Sequence, residues 1–148
     1  MWTLTPSERL RFWYDFRQKI NQTNLEQALN ETTHLWSYAP FVKNYLHYDF
    51  FDKWPNPWEL LYENVYCDLA KVLGIFYTLH LSKHRPLMEI RVYNDLITNE
   101  QYNLVWIDKG KYVINYIFDD IVNKKQITKD IKLIKTITID DLKITKLE

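Results

Sequence analysis

Glycine is nearly missing from this chain, with two residues in 148. Phosphate-binding loops and dinucleotide fingerprints need several glycines in close register, so no Gly-rich nucleotide motif can be built. Cysteine occurs once. That excludes an internal disulfide and fits a reducing compartment. Charge of one sign is not in excess either, with 19 Lys and Arg against 19 Asp and Glu. This balance gives no general attraction to nucleic acid or to an anionic membrane. No apolar run is long enough to span a bilayer. The first residues, Met1-Trp2-Thr3-Leu4-Thr5, lack the basic-then-apolar order of a signal peptide. The expectation is a cytoplasmic protein with no cofactor and no resident metal.

What is present is globular: 47% of residues are hydrophobic, 26% are charged, and no disordered tail or repeat stands out. A chain of this length is expected to form a single domain over residues 1–148 with a real core. Residues 1–55 read as a helical hairpin and an aromatic connection. Residues 56–122 read as the central core, and residues 123–148 as edge strands.

The chain is organised around Asn56 to Leu81. Asn56-Pro57-Trp58-Glu59 supplies cap, proline and acid in the order that opens a helix. A second helix starts at Cys67. Its apolar residues Leu69, Val72, Phe76 and Leu79 keep helical spacing on one face; Cys67, Ala70, Gly74, Tyr77 and Leu81 do so on another. A helix apolar all round is a buried one. Before it, Thr5-Pro6-Ser7-Glu8 and Thr23-Asn24-Leu25-Glu26 open two amphipathic helices. Ser37 to Pro55 is irregular and rich in rings, expected to cover a core and able to line a groove.

After Ser82 to Pro86 the period changes from helical to alternating. Strands are expected at Met88 to Tyr93, Tyr102 to Ile107 and Lys111 to Ile117. One or two more follow among Ile131, Leu133, Ile137, Ile139, Leu142 and Ile144. Helices first and strands afterwards imply an α+β fold with an antiparallel sheet. The turn Asp108-Lys109-Gly110 allows two registers. A two-residue loop sets Asn115 opposite Leu104. A three-residue loop with Gly110 at positive φ is preferred, and it sets Asn103 opposite Asn115. Val105 and Val113 then share the helix-facing side with the two amides.

Pro57-Trp58-Glu59-Leu60, Tyr66-Cys67-Asp68-Leu69-Ala70, Leu73-Gly74, Asn103-Leu104-Val105-Trp106 and Gly110 to Asn115 together carry a resemblance covering residues 57–118. They resemble the transglutaminase-like core of the papain-like cysteine enzymes, and among those the bacterial transglutaminase-like cysteine proteinases. The chain also resembles small proteins of tailed bacteriophages, for which the location would be host cytoplasm or virion. The resemblance implies a cysteine opening a central helix, a histidine on one strand, and an aspartate on the next after a glycine turn. Cys67 matches the nucleophile. Asn103 stands at the histidine position and Asn115 at the aspartate position. Tyr66 replaces the glycine before the cysteine.

Those departures decide the chemistry. A cysteine nucleophile must be thiolate, aided by a helix amino terminus or an imidazolium. Asparagine cannot take and return a proton at neutral pH, so Asn103 is no general base. Free cysteine is usually a small buried hydrophobe, and two asparagines can be a structural cross-strand pair. His80 and His84 have the i, i+4 spacing of two ligands on a helix but lack a third. They lie about 20 Å from Cys67 at 1.5 Å per residue. His34 and His47 come from outside the core and could approach the thiol. Lys124, Lys125, Lys129, Lys132 and Lys135 read as a solvated edge that resists aggregation. Trp2, Trp36, Trp54 and Trp58 are candidate anchors for a protein partner.

Three functions follow. The favoured one is a degenerate, non-catalytic domain that binds a protein or peptide. The others are a cysteine hydrolase or acyltransferase using Cys67, and an assembly component that uses the fold as a packing unit.

Overall fold

A computed structural model describes residues 1–43, 45–142 and 144. Helix α1 spans Pro6–Ile20, α2 Leu25–Ser37, α3 Pro57–Glu63 and α4 Asp68–His80. Strands follow: β1 Met88–Asp95, β2 Gln101–Ile107, β3 Tyr112–Ile114, β4 Ile121–Val122 and β5 Ile131–Ile137. All pairings are antiparallel, in the order β4-β3-β2-β1-β5. The expected α+β layout, with helices on one face of a C-terminal sheet, is what the chain adopts.

The helix starts form as their sequences dictate. Thr5 and Glu8 close a reciprocal capping box on α1, and Asn56 and Glu59 do the same on α3. Asn24 caps α2 by accepting the Gln27 N–H at 2.8 Å. Each cap satisfies backbone donors that a helix leaves orphaned. α3 stops where Asn64 turns left-handed, at φ 57°. The buried Arg9 guanidinium then donates to the carbonyls of Leu61 at 2.8 Å and Tyr62 at 3.3 Å. α1 therefore clamps the end of α3.

α4 is buried along almost its whole length, from Leu69 to Leu79. α2 crosses it at Gly74, where a methyl group would come within 2.3 Å of the Trp36 ring. One hydroxyl ties three helices together. Thr78 Oγ1 accepts from Trp13 Nε1 at 2.9 Å and from Trp36 Nε1 at 3.0 Å, and donates to the Gly74 carbonyl at 2.7 Å. Trp36 and Trp54 are thus core residues, 0% and 3% exposed, and not partner anchors. Trp2 and Trp58 are partly buried against the same core. Large aromatic rings supply much apolar area, and burying them here stabilises the helical layer.

The sheet departs from expectation at the β2–β3 turn. Ile107 pairs with Tyr112, Trp106 with Val113 and Val105 with Ile114. Asp108, Lys109 and Gly110 all take positive φ, at 50°, 60° and 91°. The loop thereby holds four residues and the preferred register is off by one. The pairing is that of the less favoured two-residue alternative. A one-residue slip exchanges sheet faces. Val113 accordingly packs with Leu104 on the outer face, while Val105 and Ile114 join the helix-facing core. β3 also ends at Ile114, three residues short of Ile117.

The strand Ile121–Val122 on the far edge was not legible in the sequence. β5 forms the opposite edge, where pairing of Val92 with Lys135 and Tyr93 with Leu133 leaves Ile134 as a bulge. Beyond β5, Leu142 and Ile144 pack on the main core without forming a strand. Lys143 and residues 145–148 lie outside the described residues.

Candidate active site

Cys67 is the N-cap residue of α4, in extended conformation and 6% exposed. Its side chain makes no capping bond. The thiol instead accepts the backbone N–H of Leu46, with the nitrogen 3.3 Å from Sγ. The aromatic connection is stitched down beside it. Phe41 forms a parallel bridge with Tyr66, and the Val42 N–H donates to the Tyr66 carbonyl at 2.8 Å. Tyr66 is fully buried between Trp2 and Trp36 in edge-to-face contacts. Its hydroxyl is pushed well above the usual phenol range by burial.

The residue that sequence reasoning missed is Asp68, the first residue of α4. Its carboxylate accepts from Asn103 Nδ2 at 2.9 Å and from Asn115 Nδ2 at 3.1 and 3.2 Å. Asn115 Nδ2 also reaches the Asn103 carbonyl at 2.9 Å, and Gln101 Nε2 donates to Asn103 Oδ1 at 2.7 Å. The two amides do converge, as expected, although not by direct pairing across the strands. In the observed register a regular strand would send Asn115 to the outer face with Leu104. Asn115 has φ 77°. That left-handed residue ends β3 and returns its amide to the helix side. Asparagine tolerates the conformation better than most residues, which is the signal that was available.

Asn103 and Asn115 thus both donate to one carboxylate, Asp68. A carboxylate at the first turn of a helix is also favoured by the helix dipole. Lys71, one turn along, lies 5.6 Å from the Phe41 ring. Burial lowers its pKa, and the Asp68 charge opposes that shift.

An open cleft of about 260 Å³ lies over this end of α4. Cys67, Asp68 and Asn103 line it together with the apolar Phe41, Leu46 and Leu69. Lys43, His47 and Gln101 complete the lining. The aromatic connection thus lines a groove. His47 Nδ1 accepts the Asp49 N–H at 3.1 Å, so the ring proton sits on Nε2. His34 lies elsewhere, paired with Asp119 at 2.9 Å. His80 ends α4 stacked near Phe76, and His84 lies past the helix with Nε2 2.9 Å from the Ile20 carbonyl. The i, i+4 spacing of those two does not make a helical ligand pair. No group of three or more His, Cys, Asp or Glu suited to a metal occurs among the described residues.

No family model matches the chain, and no curated protein matches it by sequence. Solved structures do. Calcium-bound LapG of Legionella pneumophila superposes with a TM-score of 0.72, covering 93% of this chain and 78% of that one at 10% identity. LapG itself and its EGTA-treated form each give 0.71, covering 90% and 74%, also at 10% identity. The chain has the transglutaminase-like fold of LapG. At this identity the likeness extends to the fold. It carries the transglutaminase-like expectation and lends nothing to the bacteriophage one.

Proposed function

We propose that this is a non-catalytic transglutaminase-like domain that holds an extended peptide or protein segment in the cleft over Cys67. One observation carries the reading. The Asp68 carboxylate accepts amide donors from both Asn103 and Asn115, the two positions where the family places its proton-handling groups. An amide can donate and accept hydrogen bonds but cannot shuttle a proton at neutral pH. The apolar walls suit side chains of a bound segment, and the exposed edge of Phe41, 62% accessible, extends that surface.

One LapG structure holds calcium. The groups facing Asp68 here are amide N–H donors, which turn their positive ends toward the carboxylate. That donor set does not fit a divalent cation, and nothing in this reading passes through one.

The test is the alkylation rate of Cys67 by iodoacetamide as a function of pH. The expected result is slow reaction at neutral pH, unchanged by His47→Ala. A thiol that ionises below about pH 7 would overturn the reading. The second reading, a cysteine hydrolase or acyltransferase, is favoured by His47 lining the same cleft as the thiol. It requires His47 to release Asp49, and it requires the alkylation profile to shift when His47 is removed.

A further inference from the structure

We propose that a second concavity, on the outer face of the sheet, is a binding site for a small phosphorylated molecule. It lies on the side of the sheet away from α4 and is independent of the cleft over Cys67. Its volume is about 390 Å³, within the range of small-molecule sites.

The lining is strongly cationic in a chain whose net charge is zero. Arg91, Lys109 and Lys124 face one carboxylate, Glu89. Glu89 is already satisfied by Arg91 Nε at 2.8 Å. Arg91 is held in place three ways. It makes that ion pair, donates from Nη1 to the Tyr93 hydroxyl at 3.2 Å, and lies 4.2 Å over the Trp106 ring. Its Nη2, and the ammonium groups of Lys109 and Lys124, have no partner among the described residues. The site therefore offers a fixed guanidinium edge and two unspent charges around one hollow.

The two lysines are positioned by the same turn that shifts the sheet register. Lys109 sits at φ 60° between Asp108 and Gly110, which also have positive φ. A methyl group on Gly110 would come within 2.8 Å of Trp106 and 2.9 Å of Lys124 Cβ and Cδ. The stem of Lys124 and the indole thus pack directly on the turn backbone. The Asp108 N–H donates to the Leu87 carbonyl at 2.9 Å, which ties the exposed Leu87 to the rim. Three cations less the Glu89 charge leave a net of two positive charges, which matches the roughly −1.5 to −2 of a phosphomonoester, with the guanidinium fork suited to its oxygens. Trp106 and Leu87 suit an apolar or aromatic body.

The experiment follows the Trp106 indole resonance by NMR while phenyl phosphate, benzoate, benzyl alcohol and inorganic phosphate are added separately. Phenyl phosphate is expected to give a saturable shift with Kd on the order of 0.1–1 mM. Benzoate and inorganic phosphate should bind more weakly, and benzyl alcohol should not shift it. Lys109→Asn with Lys124→Gln keeps a residue tolerant of positive φ and a side-chain stem, so the fold should persist, checked by circular dichroism. That variant should weaken phenyl phosphate binding at least about tenfold, or ~1.4 kcal/mol. Removing Cys67 should leave binding intact. No saturable shift up to about 10 mM, equal affinity in the double variant, or benzyl alcohol binding as well as the phosphate would each overturn the proposal.

Discussion

Replacing Asp68 by alanine should destabilise the protein by about 2–3 kcal/mol. The carboxylate accepts from two side chains, at 2.9 Å from Asn103 and at 3.1 and 3.2 Å from Asn115. Hydrogen bonds to charged groups contribute roughly 1.5–3 kcal/mol each when shielded from water. The two donors differ in what they lose. Asn103 is 3% exposed, so its stranded donor bears a desolvation penalty of about 1–3 kcal/mol. Asn115 is half-buried and keeps the Asn103 carbonyl at 2.9 Å, so its loss is small. The acid at the start of α4 adds about 0.3–1 kcal/mol through the helix dipole. For a domain of this size the sum lowers Tm by about 5–10 °C, measured by calorimetry. A double-mutant cycle with Asn103→Ala should give a coupling of about 1–2 kcal/mol. A loss below about 0.5 kcal/mol, or strict additivity, would refute the claim that this carboxylate organises the site.

Thr78→Val should cost about 2–4 kcal/mol in urea unfolding, because it strands the indole N–H groups of Trp13 and Trp36 in a dry core. Gly74→Ala should lower stability by about 1–3 kcal/mol or more in the same assay, since its methyl would overlap the Trp36 ring. Tyr45, Tyr66 and Tyr77 are pushed up by burial first; Glu63 bonding and charge add to the shift of Tyr45 and the Glu59 charge to that of Tyr77, while Arg9 opposes that of Tyr66. The folded state then holds these protons longer than the unfolded chain, whose tyrosines ionise near pH 10. Stability from this source should be intact below about pH 10 and fall as pH rises above it, followed by tyrosinate absorbance and circular dichroism together. If all tyrosines ionised near pH 10 with the fold intact, the burial account would fail.

The amino-acid order determined by itself the helix starts, the buried helix and the longer strands, which depend on local chemistry and period. Thr5-Pro6-Ser7-Glu8 and Asn56-Pro57-Trp58-Glu59 specify helix starts because the cap, the fixed proline φ and the acid act within one turn. The unbroken apolar run after Cys67 marks a buried helix, and the later alternation marks strands. These are contacts between near neighbours, so a single sequence contains them. The thiol at the head of α4 and the placing of Asn103 on β2 were legible for the same reason, whereas Asn115 lies just past the end of β3.

Tertiary structure alone decided the rest. The register of β2 on β3 turned on whether the chain would hold three successive residues at positive φ, and packing of Gly110 on Trp106 and Lys124 selects that turn. The site's organiser was hidden because Asp68 reads as an ordinary first-turn acid until residues 35 and 47 positions away donate to it. Trp36 and Trp54 look like surface anchors until Thr78, and the folding back of the connection, bury them. Local rules say what a residue prefers in its own turn or strand. Which groups meet across the fold is set by the few long-range packings that satisfy all those preferences together.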